Sequence, residues 1–313
     1  GPNERMTMTM TMTMTALSAR ATQHAAVLPV ASVAVRACSS KSIYRESVEN
    51  KRLLAWELDG LMRSGANHDL RVFGVGALAA LKSKHAFLGF ALDHLHFYER
   101  LEQCLDEKKR QHAWAQALVG RNQHETWLWR SAPLAADVRR LGEQMQLAST
   151  PPPSDAARRY ADAIERDAQH SDGFALVGHF YTRFLADLFG GTMLGAPTRL
   201  ALRWPSVPSY YQLDFPKPRR ICIEDAYGAI NDAFQAVDED DDMKRVALSG
   251  ASEAFRHNAN VYASVRSTSE ELQAPASPPE AAGGPFPRAP LVGAVQGVLN
   301  VAVGYVGDRL NVL

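Results

Sequence analysis

The stretch GHFYTRFLADLFGG, residues 178–191, decides how this chain is read. It is an apolar helix, yet it carries His179, Arg183 and Asp187 on separate turns and closes on Gly190 and Gly191. Charged groups enter an apolar face only when something pairs with them. A glycine pair lets a backbone bend and come close to a flat ligand without interference from Cβ.

Outward from this stretch the pattern is helical from Ser42 to about Arg266. In HAFLGFALDHLHFYERLEQCL, Phe87, Phe90, Ala91, His94, Tyr98 and Leu101 recur at three and four residues, one wide buried stripe. Further helices are expected over 45–62, 110–125, 136–145, 155–168, 175–189, 222–236 and 243–265, with breakers in TPPPS (150–154) and WPSVPSYYQLDFPKPRR (204–220). No run alternates apolar and polar residues with β-branched enrichment, so the expected class is all-α, a multi-helix bundle. VDEDDDMK (237–244) reads as a solvated linker whose acids suit the start of the next helix, without the spaced ligands of a calcium loop.

Lys plus Arg equals Asp plus Glu at 34 each, so no net field attracts nucleic acid, and no basic stripe is interleaved with aromatics. The three cysteines, Cys38, Cys104 and Cys222, form neither a disulfide framework nor a CxxC metal motif.

The ends differ in kind. Met6–Tyr44 holds no Asp or Glu but has Arg20, Arg36 and Lys41 among Ser, Thr and Ala, and VRACSS places an Arg shortly before small residues. Residues 1–41 therefore read as an organellar targeting extension, pointing to the mitochondrion with the plastid as alternative. Residues 42–273 form the helical domain, and 274–313 a Pro- and Gly-rich linker followed by an apolar helix. That helix is short for a membrane span: Leu291–Val306 is 16 residues long and carries Gln296 and Asn300 on one face. The expected role of 291–313 is docking on other protein subunits or contact with a membrane surface.

HFYTRFLADLFGG resembles the signature of the haem (heme) oxygenases, HAYTRYLGDLSGG in its commonest form; nine of thirteen positions agree, including every charged one. FALDHLHFYERLE (90–102) and EAFRHNANVY (253–262) resemble two further core helices of that family, so the likeness spans about 45–266. It implies a haem held between a proximal helix with an axial His and the Gly-kinked distal helix. Gly190, Gly191, Ala186 and Phe189 would line its face. Tyr98, Arg183, Asp187 and Asn258 would form the distal network that holds proton-delivering waters. A buried Arg–Asp pair bridged by Tyr and Asn would also persist for structural reasons alone.

The proximal half departs from the family. Ungapped counting from Tyr98 and Phe87, with Phe73 as a register check, puts the axial position on Gly65, which offers no metal ligand. His68 stands three residues on, about 300° around a helix, as a weak substitute. His85, His94, His96 and His179 read as core or rim histidines. Leu58, Tyr227 and Asn231 occupy the basic positions that would clamp the haem propionates, with Arg219 and Arg220 as the candidates to compensate. Ala186 and Phe189 add volume where the family has Gly and Ser. The resulting expectation is a non-catalytic haem-oxygenase-like scaffold or accessory subunit with no cofactor. The alternatives are an active oxygenase, cleaving haem to biliverdin, carbon monoxide and iron, and a tetrapyrrole carrier. A di-iron bundle would need paired Glu and Glu-x-x-His motifs, which cannot be assembled.

Overall fold

The computed structural model describes residues 53–63, 76–121, 123–189 and 191–271. The expected targeting segment, the tail 274–313 and Gly65, His68 and Gly190 lie outside them, as does the side chain of Phe189. The described residues are helical without a strand, in agreement with the all-α expectation. The main helices are α1 (Leu53–Arg63), α2 (Lys84–Lys109), α3 (Ser131–Gln144), α4 (Asp155–Gln169), α5 (Leu176–Phe180), α6 (Ala186–Phe189), α7 (Gly195–Ala201), α8 (Arg219–Gln235) and α9 (Asp241–Glu271).

Helix α2 is the centre of the bundle. Its expected stripe is buried, and Leu88, Phe97 and Leu105 are buried as well, so α3, α4 and α9 all pack against it. It starts where Ser83, in extended backbone, accepts a hydrogen bond from the Ala86 N–H at 3.1 Å. Ser154 caps α4 in the same way, accepting from the Ala157 N–H at 3.2 Å just after the proline run. Asp240 Oδ1 accepts from the N–H groups of Asp242 and Met243, so the acidic run begins α9 as its composition suggested.

The span 110–125 is not one helix. A short piece, Ala113–Ala115, widens into a π turn over Gln116–Gly120, and a second piece, His124–Trp127, follows Gln123 in left-handed backbone at φ 51°. A left-handed residue cannot continue an α-helix, and apolar periodicity does not register it.

The quoted stretch is irregular too. Helix α5 runs into a π turn at Tyr181–Leu185, then into α6, and the chain leaves through a 3₁₀ turn at Gly191–Leu194. A π turn inserts one extra residue and resets the helix face, so the departure from regular α geometry begins before Gly191.

The first glycine of the stretch has a different duty. A Cβ on Gly178 would stand 2.2 Å from both Ala247 O and Ala251 N, and one on Gly250 would stand 2.3 Å from Ala175 O. These two glycines let α5 and α9 cross backbone to backbone, which sets the distance of the Arg183 turn from α9. Gly178→Ala should destabilise the protein by about 3 kcal/mol, at the upper end for overpacking, lowering Tm by roughly 10 °C. Gly228→Ala on α8, where an added Cβ meets nothing within 4 Å, should leave Tm unchanged or raise it by about 2 °C; thermal melts of both variants check this.

Candidate functional site

The π turn aims Arg183 at α2 and α9. Its Nη1 donates to Asn258 Oδ1 at 2.8 Å, and its Nη2 to the Tyr98 hydroxyl at 3.1 Å. That hydroxyl donates onward to Asp187 Oδ2 at 2.5 Å. All four expected network residues therefore meet, each buried. The guanidinium also lies over the rings of Phe97 and Tyr98, about 5 Å from each centroid. Burial opposes its charge, but the oxygens of Tyr98, Tyr210 and Asp187 outweigh that and hold it protonated. Burial and the Asp187 charge push the Tyr98 and Tyr210 phenols well above the usual range, so both remain hydrogen-bond donors.

Tyr210 is a member that the sequence did not reveal. It lies in a 3₁₀ turn, Ser209–Tyr211, and donates to Asp187 Oδ1 at 2.9 Å, so each carboxylate oxygen receives one phenol. A tyrosine in a proline-rich loop has no periodicity to mark it.

Two buried side chains hold that turn, and a third holds the start of α3. Asp137 accepts from the N–H groups of Ser209 and Tyr210, both at 2.8 Å. The Arg130 guanidinium donates to the carbonyls of Trp127, Leu128, Tyr210 and Gln212. Glu102 on α2 accepts from the N–H groups of Arg130 and Ser131 and from the Ser131 hydroxyl, capping α3 from outside.

Other expected residues sort as follows. Ala186 is exposed and Gly191 half-buried, its Cα next to Asp187, to whose Oδ1 an added Cβ would approach within 3.0 Å. His94 is buried; its Nδ1 donates to Phe90 O at 2.8 Å, while Nε2 has no hydrogen-bond partner among the described residues. Burial and Arg183 push His94 well below its usual pKa, so the ring stays neutral. His179 pairs with Asp167 through Nε2 at 2.8 Å across the turn between α4 and α5. Arg219 donates to Leu188 O at 2.5 Å, and Arg220 pairs with Glu224 on its own helix.

The positions implied for the propionate clamp lie in the seam between α1 and α8. Leu58 and Tyr227 are fully buried; the Tyr227 hydroxyl donates to Asp59 Oδ1 at 3.1 Å, and Tyr181 donates to the same oxygen at 2.8 Å. Asn231 Oδ1 accepts from the Ala55 N–H at 3.1 Å. No group of three or more His, Cys, Asp or Glu with metal-ligand geometry occurs among the described residues, and no described helix is long and apolar enough to cross a membrane.

A fold and site of this kind define an all-α protein with a buried polar quartet at a helix interrupted by a π turn. Residues 66–264 match the family model described as Heme oxygenase, so the chain belongs to that family. Among solved structures it is similar to heme oxygenase-2 from Synechocystis sp. PCC 6803, determined with heme and NO: 22% identity, TM-score 0.56, covering 71% of this chain and 88% of that one. Heme oxygenase 2 from Chlamydomonas reinhardtii, determined without heme, gives 20% identity and TM-score 0.56 over 72% of this chain and 100% of that one. Heme oxygenase-1 from the same Synechocystis gives 16% identity and TM-score 0.52 over 74% and 94%. These likenesses concern the fold. No curated protein matches the sequence.

Two outcomes follow from this geometry. Arg183→Met leaves the buried Asp187 with its two phenols but without the cation that lies behind Tyr98, and should cost about 3–5 kcal/mol; combined with Asp187→Leu the cost should fall well short of the sum of the singles, measured by denaturant unfolding. Burial raises the Glu102 carboxyl to about 7 from an ordinary value of 4.5. The folded state then holds a proton that the unfolded chain releases, so the Glu102 contribution is full below pH 4.5 and is lost as pH rises through about 7. Glu102→Gln should flatten that part of the stability–pH curve in thermal melts at stepped pH.

Proposed function

We propose that this member of the haem oxygenase family is non-catalytic and serves as a scaffold or accessory subunit of an organellar assembly. The observation that carries the reading is the α1–α8 seam. Where the family resemblance calls for cations facing the haem propionates, Leu58, Tyr227 and Asn231 are spent on joining two helices, and the adjacent buried carboxylate Asp59 already takes two phenols. Those residues do not fit a dianionic edge: a propionate there would lose charge-assisted hydrogen bonds worth about 1.5–3 kcal/mol each and meet Asp59 instead. Gly65 at the axial position supports the same reading from the sequence. The extension 1–41 suits import into a mitochondrion, or a plastid, and the apolar segment 291–313 suits docking on partner subunits or a membrane surface.

A second reading, an active oxygenase that uses His68 as a substitute ligand, is favoured by the convergence of Tyr98, Arg183, Asp187 and Asn258. One experiment separates the two. Purified protein mixed with haemin should give no sharp Soret band of a His-ligated complex, and no biliverdin when a reductase is supplied. Clear turnover rejects the proposal, and a sharp spectrum abolished by His68→Ala transfers its weight to the enzyme. A broad, ligand-poor spectrum without turnover would identify a tetrapyrrole carrier.

A further inference from the structure

The Asp187 carboxylate belongs to no direct ion pair with Arg183 in the hydrogen bonds above; it is met by two phenols, and the second arrives from a loop. That loop seats Trp204, Tyr210 and Tyr211 in the core, with Val207, Leu213 and Phe215 packed beside them. Pro205, Ser206 and Gln212 are exposed, while Tyr210 and Tyr211 turn inward. Two side chains, Arg130 at 3% exposure and Asp137 at 1%, direct their polar atoms at the backbone of residues 209–212 and the adjacent 127–128 turn. Burying a guanidinium and a carboxylate is costly; Asp137 is satisfied by peptide N–H groups of the segment, and Arg130 by carbonyls divided between the segment and its own preceding turn.

We propose that Ser209–Gln212 is an internal latch on the distal carboxylate, in which the Tyr210 hydroxyl occupies the Asp187 oxygen that a water or another small hydroxylic ligand would otherwise take. Arg130 and Asp137 are its positioning residues, and Glu102 sets both by fixing the start of α3. Tyr210 suits the role by geometry and by protonation: its ring lies within about 6 Å of Phe90, His94, Tyr98 and Tyr211, and its phenol stays a donor because burial and Asp187 hold it protonated. The inference uses no haem, so it stands or falls separately from the proposed function.

Proton NMR of the haem-free full chain tests it. Short phenol–carboxylate hydrogen bonds give downfield hydroxyl resonances, which Tyr98→Phe and Tyr210→Phe assign by their loss. The wild type should show both, exchanging slowly with solvent. In Tyr210→Phe, which keeps the ring and removes only the hydroxyl, the remaining Tyr98 proton should exchange at least about tenfold faster as water reaches Asp187. Tyr211→Phe should leave that rate unchanged. Asp137→Asn retains both phenols but frees the loop, and should speed exchange of both protons by a similar factor; it carries the test if Tyr210→Phe fails to fold. An unchanged Tyr98 rate in the variant that folds would overturn the latch, as would a wild-type spectrum with no slowly exchanging hydroxyl.

Discussion

A positive guanidinium and a negative carboxylate, buried on the same irregular helix and joined through a phenol from another, fix the rest of this structure. Arg183 reaches Asp187 through the Tyr98 hydroxyl, so α2 must present Tyr98 at one height and one rotation. Asn258 takes the other arm of the guanidinium and sets α9 in turn. Any slip of one helix past another would leave a desolvated charge, which costs more than the loss of several apolar contacts. The π turn at Tyr181–Leu185 and the Gly178–Gly250 crossing are the local adjustments that let the two helices meet this demand.

A buried network of this kind persists as long as the fold does, because removing one member destabilises the whole. Its presence therefore says little about turnover. The α1–α8 seam is more informative, since cations facing a ligand would contribute nothing to a seam that Leu58, Tyr227 and Asn231 join without a charge. Tyr181 and Tyr227 converge on Asp59 and tie α1 to both the π turn and α8.

The fold class was legible in the sequence because it is written in spacing, and the distal quartet because the stretch around Arg183 and Asp187 resembles the haem oxygenase signature. The stripe from Phe87 to Leu101 gives α2, and the match around Arg183 and Asp187 gives the network. What was not legible depends on partners far along the chain. Gly178 reads as one more small residue until Gly250 is seen opposite it, and the π turn at Tyr181–Leu185 has no signature in the apolar spacing. Helix 110–125 breaks at Gln123, whose left-handed backbone leaves no mark on apolar periodicity. Tyr210 was hidden for a related reason: a loop residue is placed by what grips its backbone, and Arg130 and Asp137 lie more than seventy residues upstream.

Both phenols on Asp187 trace back to α2. Tyr98 stands on it and takes one oxygen directly. Glu102, four residues later and so on the same face, holds the start of α3, and α3 carries Asp137 to the turn that delivers Tyr210 to the other oxygen. Glu102 can do this in either protonation state, because Oε1 keeps its two peptide donors while the Ser131 hydroxyl can reverse its role toward Oε2. A single helix thus supplies the core, one donor directly and the other through a chain of backbone contacts. The distal carboxylate is thereby tied to the centre of the bundle, and a change in the loop sequence reaches it either directly, through the Tyr210 hydroxyl, or by loosening the grip of Arg130 and Asp137.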